Sequence, residues 1–228
     1  MLRIKVIGGG AREHSLVWKL AQSPKVSEVY VAPGNAGTGL MAHNLDISPS
    51  ELEALAKAAE DNHIDLTVVG PEAPLAAGIV DLFQSRGLAI FGPTGEATEI
   101  ESSKVFAKRM MQKYGIPCAW GVVFSSFKKA KEYIQDQHPP LVVKADGLAA
   151  GKGVTVARSH EQALEALSNI MEKRIFGAAG NKVIIEECLE GREVSFLALT
   201  DGETILPMVP ACDYKRALDG DLGPNTGG

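Results

Sequence analysis

Four short apolar runs in the first hundred residues, each cut off by glycine or proline, leave this chain little choice of architecture. Residues 3–7 run into Gly8-Gly9-Gly10, residues 29–31 reach Pro33-Gly34-Asn35, residues 66–69 end at Gly70-Pro71, and residues 88–91 end at Gly92-Pro93. Runs of this length between turn residues read as strands. Between them the spacing predicts helices. One carries Leu16, Val17, Leu20 and Ala21 on a single face and stops at Ser23-Pro24. A second is opened by Ser48-Pro49-Ser50-Glu51, read as a capping box, and turns Leu52, Leu55, Ala56 and Ala59 inward. A third lies near residues 75–84. Such strand–helix alternation means α/β, with a doubly wound parallel sheet.

After residue 100 the rhythm changes. A lysine-rich helix from Ser102 carries Val105, Phe106 and Met110 and stops at Gly115-Ile116-Pro117. Strands are expected at 122–124, 141–144 and 154–157, separated by helices near 127–135 and 161–171. Ser159 with Gln162 opens the latter helix. Further strands fall at 183–185, 194–200 and 204–209, with Asp201-Gly202 as a two-residue hairpin turn. The expectation is a parallel α/β domain over 1–100, followed by an α+β domain with antiparallel pairing over 101–228.

Composition removes several classes of function. With 45% hydrophobic and 22% charged residues the 228-residue chain suits a globular protein. A net charge of -5 without blocks of Lys or Arg argues against nucleic-acid binding. The first strand reaches glycine too soon to be a signal peptide, and no apolar run has membrane-spanning length. Cys118, Cys188 and Cys212 lack metal-ligand spacing, which suits a reducing cytoplasm.

The run Val142-Val143-Lys144-Ala145-Asp146-Gly147-Leu148-Ala149-Ala150-Gly151-Lys152-Gly153-Val154 carries the clearest chemistry. A strand delivers one lysine, and a loop of small residues delivers another eight positions later. Two ammonium groups beside backbone that can approach closely suit a nucleoside triphosphate. The Walker A pattern does not fit: three residues separate Gly147 from Gly151, and Gly153 stands where a hydroxyl is needed. Lys104, at the start of an apolar helix face, is a third candidate cation.

Gly8-Gly9-Gly10-Ala11-Arg12-Glu13-His14 follows the first strand, where freed backbone N–H groups could face an anion. A dinucleotide fingerprint would want glycine at position 13 and an acid closing strand two, so a nicotinamide oxidoreductase is disfavoured. Pro33-Gly34-Asn35-Ala36-Gly37-Thr38 offers amides and a hydroxyl. Gly70-Pro71-Glu72-Ala73-Pro74 offers a carboxylate for sugar hydroxyls. Each could be a plain loop; their shared position at strand ends favours a site. His14 is balanced between satisfied helix residue and participant. In Glu186-Glu187-Cys188-Leu189-Glu190-Gly191-Arg192-Glu193 the acids follow an apolar strand, as an adenine hinge or as a solvated edge. The glycine-rich stretch around Asp213, Lys215, Asn225 and Thr226 is undecided on composition.

Taken in order, these motifs and the closing Gly223-Pro224-Asn225-Thr226-Gly227-Gly228 resemble the phosphoribosylamine–glycine ligases, of the ATP-grasp superfamily. The resemblance spans the whole chain. It implies ligation of glycine to 5-phosphoribosylamine, with ATP and Mg2+ (Mn2+ in its place) and through a glycyl phosphate. By analogy Lys104, Lys144 and Lys152 meet phosphates beside Gly151 and Gly153, with Lys144 and Lys152 catalytic. Glu186, Glu187 and Leu189 hold adenine, and Glu193 the ribose. Gly10, Arg12, Asn35, Thr38 and Glu72 lie near the sugar phosphate, faced by Asp213 and Lys215, with Asn225 and Thr226 also on the substrate side. The resemblance further implies an amino-terminal part of a longer chain, with an incomplete ATP-grasp domain and metal ligands beyond Gly228. The rivals are another ATP-grasp carboxylate–amine ligase and a nucleotide-binding module without catalysis.

Overall fold

In the computed structural model, residues 1–149, 152–212, 214, 216–220 and 222–225 are described. The chain forms two units, Met1–Cys188 and Leu189–Gly228.

The first unit opens with β1 (Leu2–Gly8), α1 (Ala11–Ala21), β2 (Val26–Pro33), β3 (His43–Asn44), α2 (Leu52–Asp61), β4 (Leu66–Val69), α3 (Glu72–Ala76), α4 (Ile79–Ser85) and β5 (Ile90–Phe91). The strands make one parallel sheet in the order β3-β2-β1-β4-β5. The chain steps outward from β1 to β3 and then returns to the other side of β1, so the strand order reverses between β1 and β4. A crevice outside the carboxyl ends of strands at such a reversal is where ligands enter open parallel sheets.

Each face of β1 feeds its own core. Ile7 packs with Leu55 and Ala56 of α2 and with Ile79, Val80 and Phe83 of α4. Val6 packs with Val29, Val31 and Val17 of α1.

Three local expectations are corrected here. In α1 only Val17 of the expected apolar face is fully buried, while Leu16 and Ala21 are exposed. The inward stripe runs Glu13, Val17 and the half-buried Leu20, so a carboxylate takes the first inward position. Residues 48–51 form a turn before α2 rather than its first turn. The Ser48 N–H donates to the Glu51 carboxylate at 2.8 Å, while the Ser48 hydroxyl pairs with the Ser50 hydroxyl and accepts from the Ser50 N–H at 3.3 Å, outside α2. The single helix expected at 75–84 is two, broken at Gly78 with φ +85°.

The first unit continues with α5 (Gly95–Ser102), which sequence reading missed, then α6 (Lys104–Lys113), β6 (Gly121–Phe124), α7 (Phe127–Asp136), β7 (Leu141–Ala145), β8 (Val154–Ala157), α8 (His160–Met171) and β9 (Val183–Glu187). These strands form an antiparallel sheet in the order β6-β9-β7-β8. One face, with Leu141, Val143, Val183 and Ile185, packs on Ala130 and Ile134 of α7 and on Ala163, Leu167 and Ile170 of α8. Because strand side chains alternate, the other face carries Val142, Lys144, Ile184 and Glu186.

The second unit holds two hairpins, β10 (Ala198–Thr200) with β11 (Ile205–Pro207) and β12 (Arg216–Leu218) with β13 (Leu222–Asn225). The strands are shorter than expected. Thr200 pairs with Ile205, which leaves Asp201, Gly202, Glu203 and Thr204 in the first loop rather than a two-residue turn. Asp201 organises that loop by accepting from the N–H groups of Thr204 at 2.7 Å and Glu203 at 3.1 Å. Those bonds hold its carboxyl below the usual range.

Candidate functional site

Lys144 and Glu186 are diagonal neighbours on one face of the antiparallel sheet, because Lys144 pairs with Ile184 and Glu186 with Val142. Gly121, opposite Glu186 on β6, leaves the room: a Cβ there would stand 2.6 Å from the Glu186 Cγ. The Glu186 carboxylate, 5% exposed, is shared. Its Oε2 meets Lys144 Nζ at 2.5 Å and its Oε1 meets Lys108 Nζ at 2.6 Å. Lys108, on the inward face of α6, is 4% exposed and also donates to the Ala119 carbonyl at 2.5 Å. Lys144 is the open member, 29% exposed.

Beyond β7 the chain turns sharply, and Asp146 fixes where it goes. Its Oδ1 accepts from the Ser103 hydroxyl and the Val105 N–H, both at 2.9 Å. Ser103 in turn accepts from the Phe106 N–H at 3.1 Å. Two side chains from distant segments thus satisfy the amides at the start of α6, where negative charge is favoured. The Asp146 N–H donates to the carbonyls of Ala179 and Lys182. The first residue of α6, Lys104, then reaches the Gly147 carbonyl at 2.9 Å. Partial burial lowers the Lys104 pKa; Asp146 and Glu101 oppose that fall, and the positive charge of Lys144 adds to it. Lys104 and Lys144 therefore feel each other at the mouth of the glycine loop. Gly153 is buried, and a Cβ there would come within 2.6 Å of the Ala149 Cβ. Lys152 is exposed. Gly151 lies outside the described residues.

Of the two acids at the end of β9, Glu186 is buried and Glu187 is exposed. Glu187 accepts from the Trp120 N–H at 2.6 Å while its own N–H donates to the Trp120 carbonyl at 2.9 Å. β9 lies between β6 and β7, so it is not the edge strand of the alternative reading, although Glu187 at its end is exposed. Both carboxylates are engaged within the protein. Leu189 and Glu193 belong to the second unit and are exposed there.

At the parallel sheet, Gly10 precedes α1, but its N–H donates to the Glu13 carboxylate at 2.7 Å. The chain's own carboxylate therefore holds an amide that sequence reading had offered to an external anion. Glu13 is 5% exposed and lies across the ends of β1 and β4: a Cβ on Gly8 would stand 2.5 Å from its Cγ, and one on Gly70 would collide with the carboxylate. Arg12 and Glu72 reach toward each other over this place, 4.0 Å apart, with Arg12 76% exposed. Arg12, Glu13, Val69 and Gly70 line a concavity there.

Asn35 and Thr38 do different work. Asn35 donates to the Gly9 carbonyl at 3.0 Å and accepts from the N–H groups of Gly37 and Thr38, while the Thr38 hydroxyl bonds Asn35 and Asn44. They brace the loop after β2 against the turn after β1. The His14 ring packs against Gly37, where a Cβ would collide.

Asp213, Lys215 and Thr226 lie outside the described residues; Asn225 ends β13. Sequence reading missed Lys108, Asp146 and Glu13. A signal existed for Asp146, which stands inside the loop motif. None marked Lys108, whose partners are remote in sequence. Among the described residues no group of three or more His, Cys, Asp or Glu could hold a metal ion. No helix among them is long and apolar enough to cross a membrane.

A parallel nucleotide-fold sheet joined to an antiparallel sheet with lysines at its mouth is the architecture of the ATP-grasp class. The family model described as phosphoribosylglycinamide synthetase, N domain, matches residues 2–101, and the one described as phosphoribosylglycinamide synthetase, ATP-grasp (A) domain, matches residues 102–228. The chain belongs to the phosphoribosylglycinamide synthetase family. It is 53% identical over 227 residues to a phosphoribosylamine–glycine ligase of Halalkalibacterium halodurans, covering 100% of this chain and 53% of that protein. It is 56% identical over 229 residues to the bovine trifunctional purine biosynthetic protein adenosine-3, covering 99% of this chain and 23% of that one. The crystal structure of phosphoribosylamine–glycine ligase from Thermotoga maritima superposes with a TM-score of 0.84 at 36% identity, over 99% of this chain and 54% of that one. The chain spans about half the length of the single-function relatives it matches.

Proposed function

We propose that the protein carrying this chain joins glycine to 5-phosphoribosylamine with ATP, giving glycinamide ribonucleotide, ADP and phosphate in the cytoplasm. The observation that carries this reading is the family match over the whole chain. The convergence of Lys104 and Lys144 at the glycine loop supports it. A carboxylate is a poor electrophile; phosphoryl transfer to glycine makes an acyl phosphate that the sugar amine attacks, with phosphate leaving. Such chemistry needs positioning and charge neutralisation more than a side-chain nucleophile.

In this reading residues 1–100 receive the amine substrate, and the segment from 101 onward handles ATP. Lys104, Lys144 and Lys152 offset the phosphate charge, with Mg2+ (Mn2+ in its place) accompanying the nucleotide. Glu186 and Glu187 set the hinge beside adenine through their backbone, since their carboxylates are engaged. Arg12 and Glu72 face the sugar, Arg12 toward its phosphate and Glu72 toward its hydroxyls; Asn35 and Thr38 shape the adjoining loop.

The test is ADP release by the complete protein with each substrate omitted in turn. Release that requires both glycine and phosphoribosylamine is expected, while release that ignores glycine overturns the assignment. Lys144→Ala should lower turnover by roughly a hundredfold or more, the scale for losing a fixed charge at a phosphoryl group.

A further inference from the structure

We propose that Lys108 is a positioning residue for the nucleotide phosphates, acting through Glu186 on Lys144; this rests on the reading that Lys144 meets those phosphates. The triad holds two ammonium groups and one carboxylate, so it carries one net positive charge. The geometry places that charge outward. Lys108, on α6, is buried and takes Oε1, while Lys144 takes Oε2 and is the more exposed lysine.

Without Lys108, Glu186 and Lys144 become a closed neutral pair. A phosphate approaching Lys144 would then compete with a carboxylate already in contact and be repelled by its charge. With Lys108 in place the carboxylate is neutralised from behind, and the outer lysine keeps attraction to spare. The bland alternative is that Lys108 only ties α6 to the Ala119 carbonyl. The two roles differ in whether they need the charge of Glu186.

The experiment is a double-mutant cycle on the complete protein, reading Mg-ATP affinity by calorimetry. Lys108→Met should weaken binding by about tenfold or more, the scale of one charge-assisted contact. In a Glu186→Gln background the same substitution should change affinity by less than about threefold, because there is no carboxylate left to offset. Equal loss in both backgrounds, or no loss with Lys108→Met, overturns the proposal. Any effect of Glu186→Gln itself on the nucleotide cancels in the comparison. Should Lys108→Met alone fail to fold, the Glu186→Gln protein with and without Lys108→Met decides: equal affinity supports the proposal, and a tenfold loss sinks it.

Lys144→Met separates the inference from the reading beneath it. If it leaves affinity unchanged, the phosphate reading falls and takes the inference with it. If it weakens binding while Lys108→Met does not, the inference alone fails.

Discussion

Lys5 sits wholly out of water in the middle of β1. Its ammonium donates to the Leu55 carbonyl and lies 4.9 Å from the centre of the Phe83 ring. Burial lowers its pKa from 10.5 to about 8. The unfolded chain keeps this proton up to about 10.5 and the folded chain only up to about 8, so unfolding takes up a proton between those values. Stability therefore rises with pH across that window, by about 3 kcal/mol from this group. Urea unfolding from pH 7 to 10.5 should show that rise, and Lys5→Met should flatten it; an equal rise in the variant would refute the assignment. At this scale sequence reading was weakest. Residues 3–7 read correctly as a strand, yet nothing local says that Lys5 points the same way as buried Ile7 into a core closed by Leu55 and Phe83. Lys144 and Lys152 were legible because they sit before and within a loop of small residues, and Lys104 because it opens an apolar helix face. The Lys144–Glu186 contact was not, because it depends on strand register.

At the scale of elements, α6 begins where another part of the chain lets it. Ser103 caps it from within, and Asp146 caps it from the end of β7. Asp146→Ala removes two charge-assisted bonds, and a loss of about 3 kcal/mol follows from that count. Urea melts should give the loss, and amide exchange should show early opening at Val105 and Phe106; unchanged exchange there would show that Ser103 suffices. Periodicity placed nearly every helix and strand of the first unit. It failed where side-chain choice outranks pattern. Ser48 and Glu51 bond to each other within a turn that precedes α2, so a capping-box sequence makes only a turn, and Gly78 in the left-handed region divides one expected helix into two. The acids of residues 186 and 187 could be read equally as a hinge or an edge because sequence does not say that β9 enters between β6 and β7.

For the whole molecule, the alternating strands gave the parallel sheet, and the shift in rhythm near residue 100 gave a second kind of architecture. What pattern could not give was the strand order that makes Lys144 and Glu186 neighbours, or the packing of α6 that adds Lys108 to them. If ATP binds at that triad, it stabilises the folded protein by mass action. At a hundredfold excess over Kd the gain is about 2.7 kcal/mol. Thermal unfolding of the complete protein should show the upward shift with Mg-ATP, and Lys144→Ala should lose most of it; a shift that survives would place the nucleotide elsewhere. The order β6-β9-β7-β8 also bears on how the protein is made. β7 and β8 can pair as soon as both leave the ribosome, but among the described strands β6, complete at Phe124, pairs only with β9, which begins at Val183. At synthesis rates of about 5–20 residues per second, that strand waits some seconds with both edges bare. The newborn chain is thus most open to aggregation, and most in need of a chaperone, in the interval before residue 187 emerges.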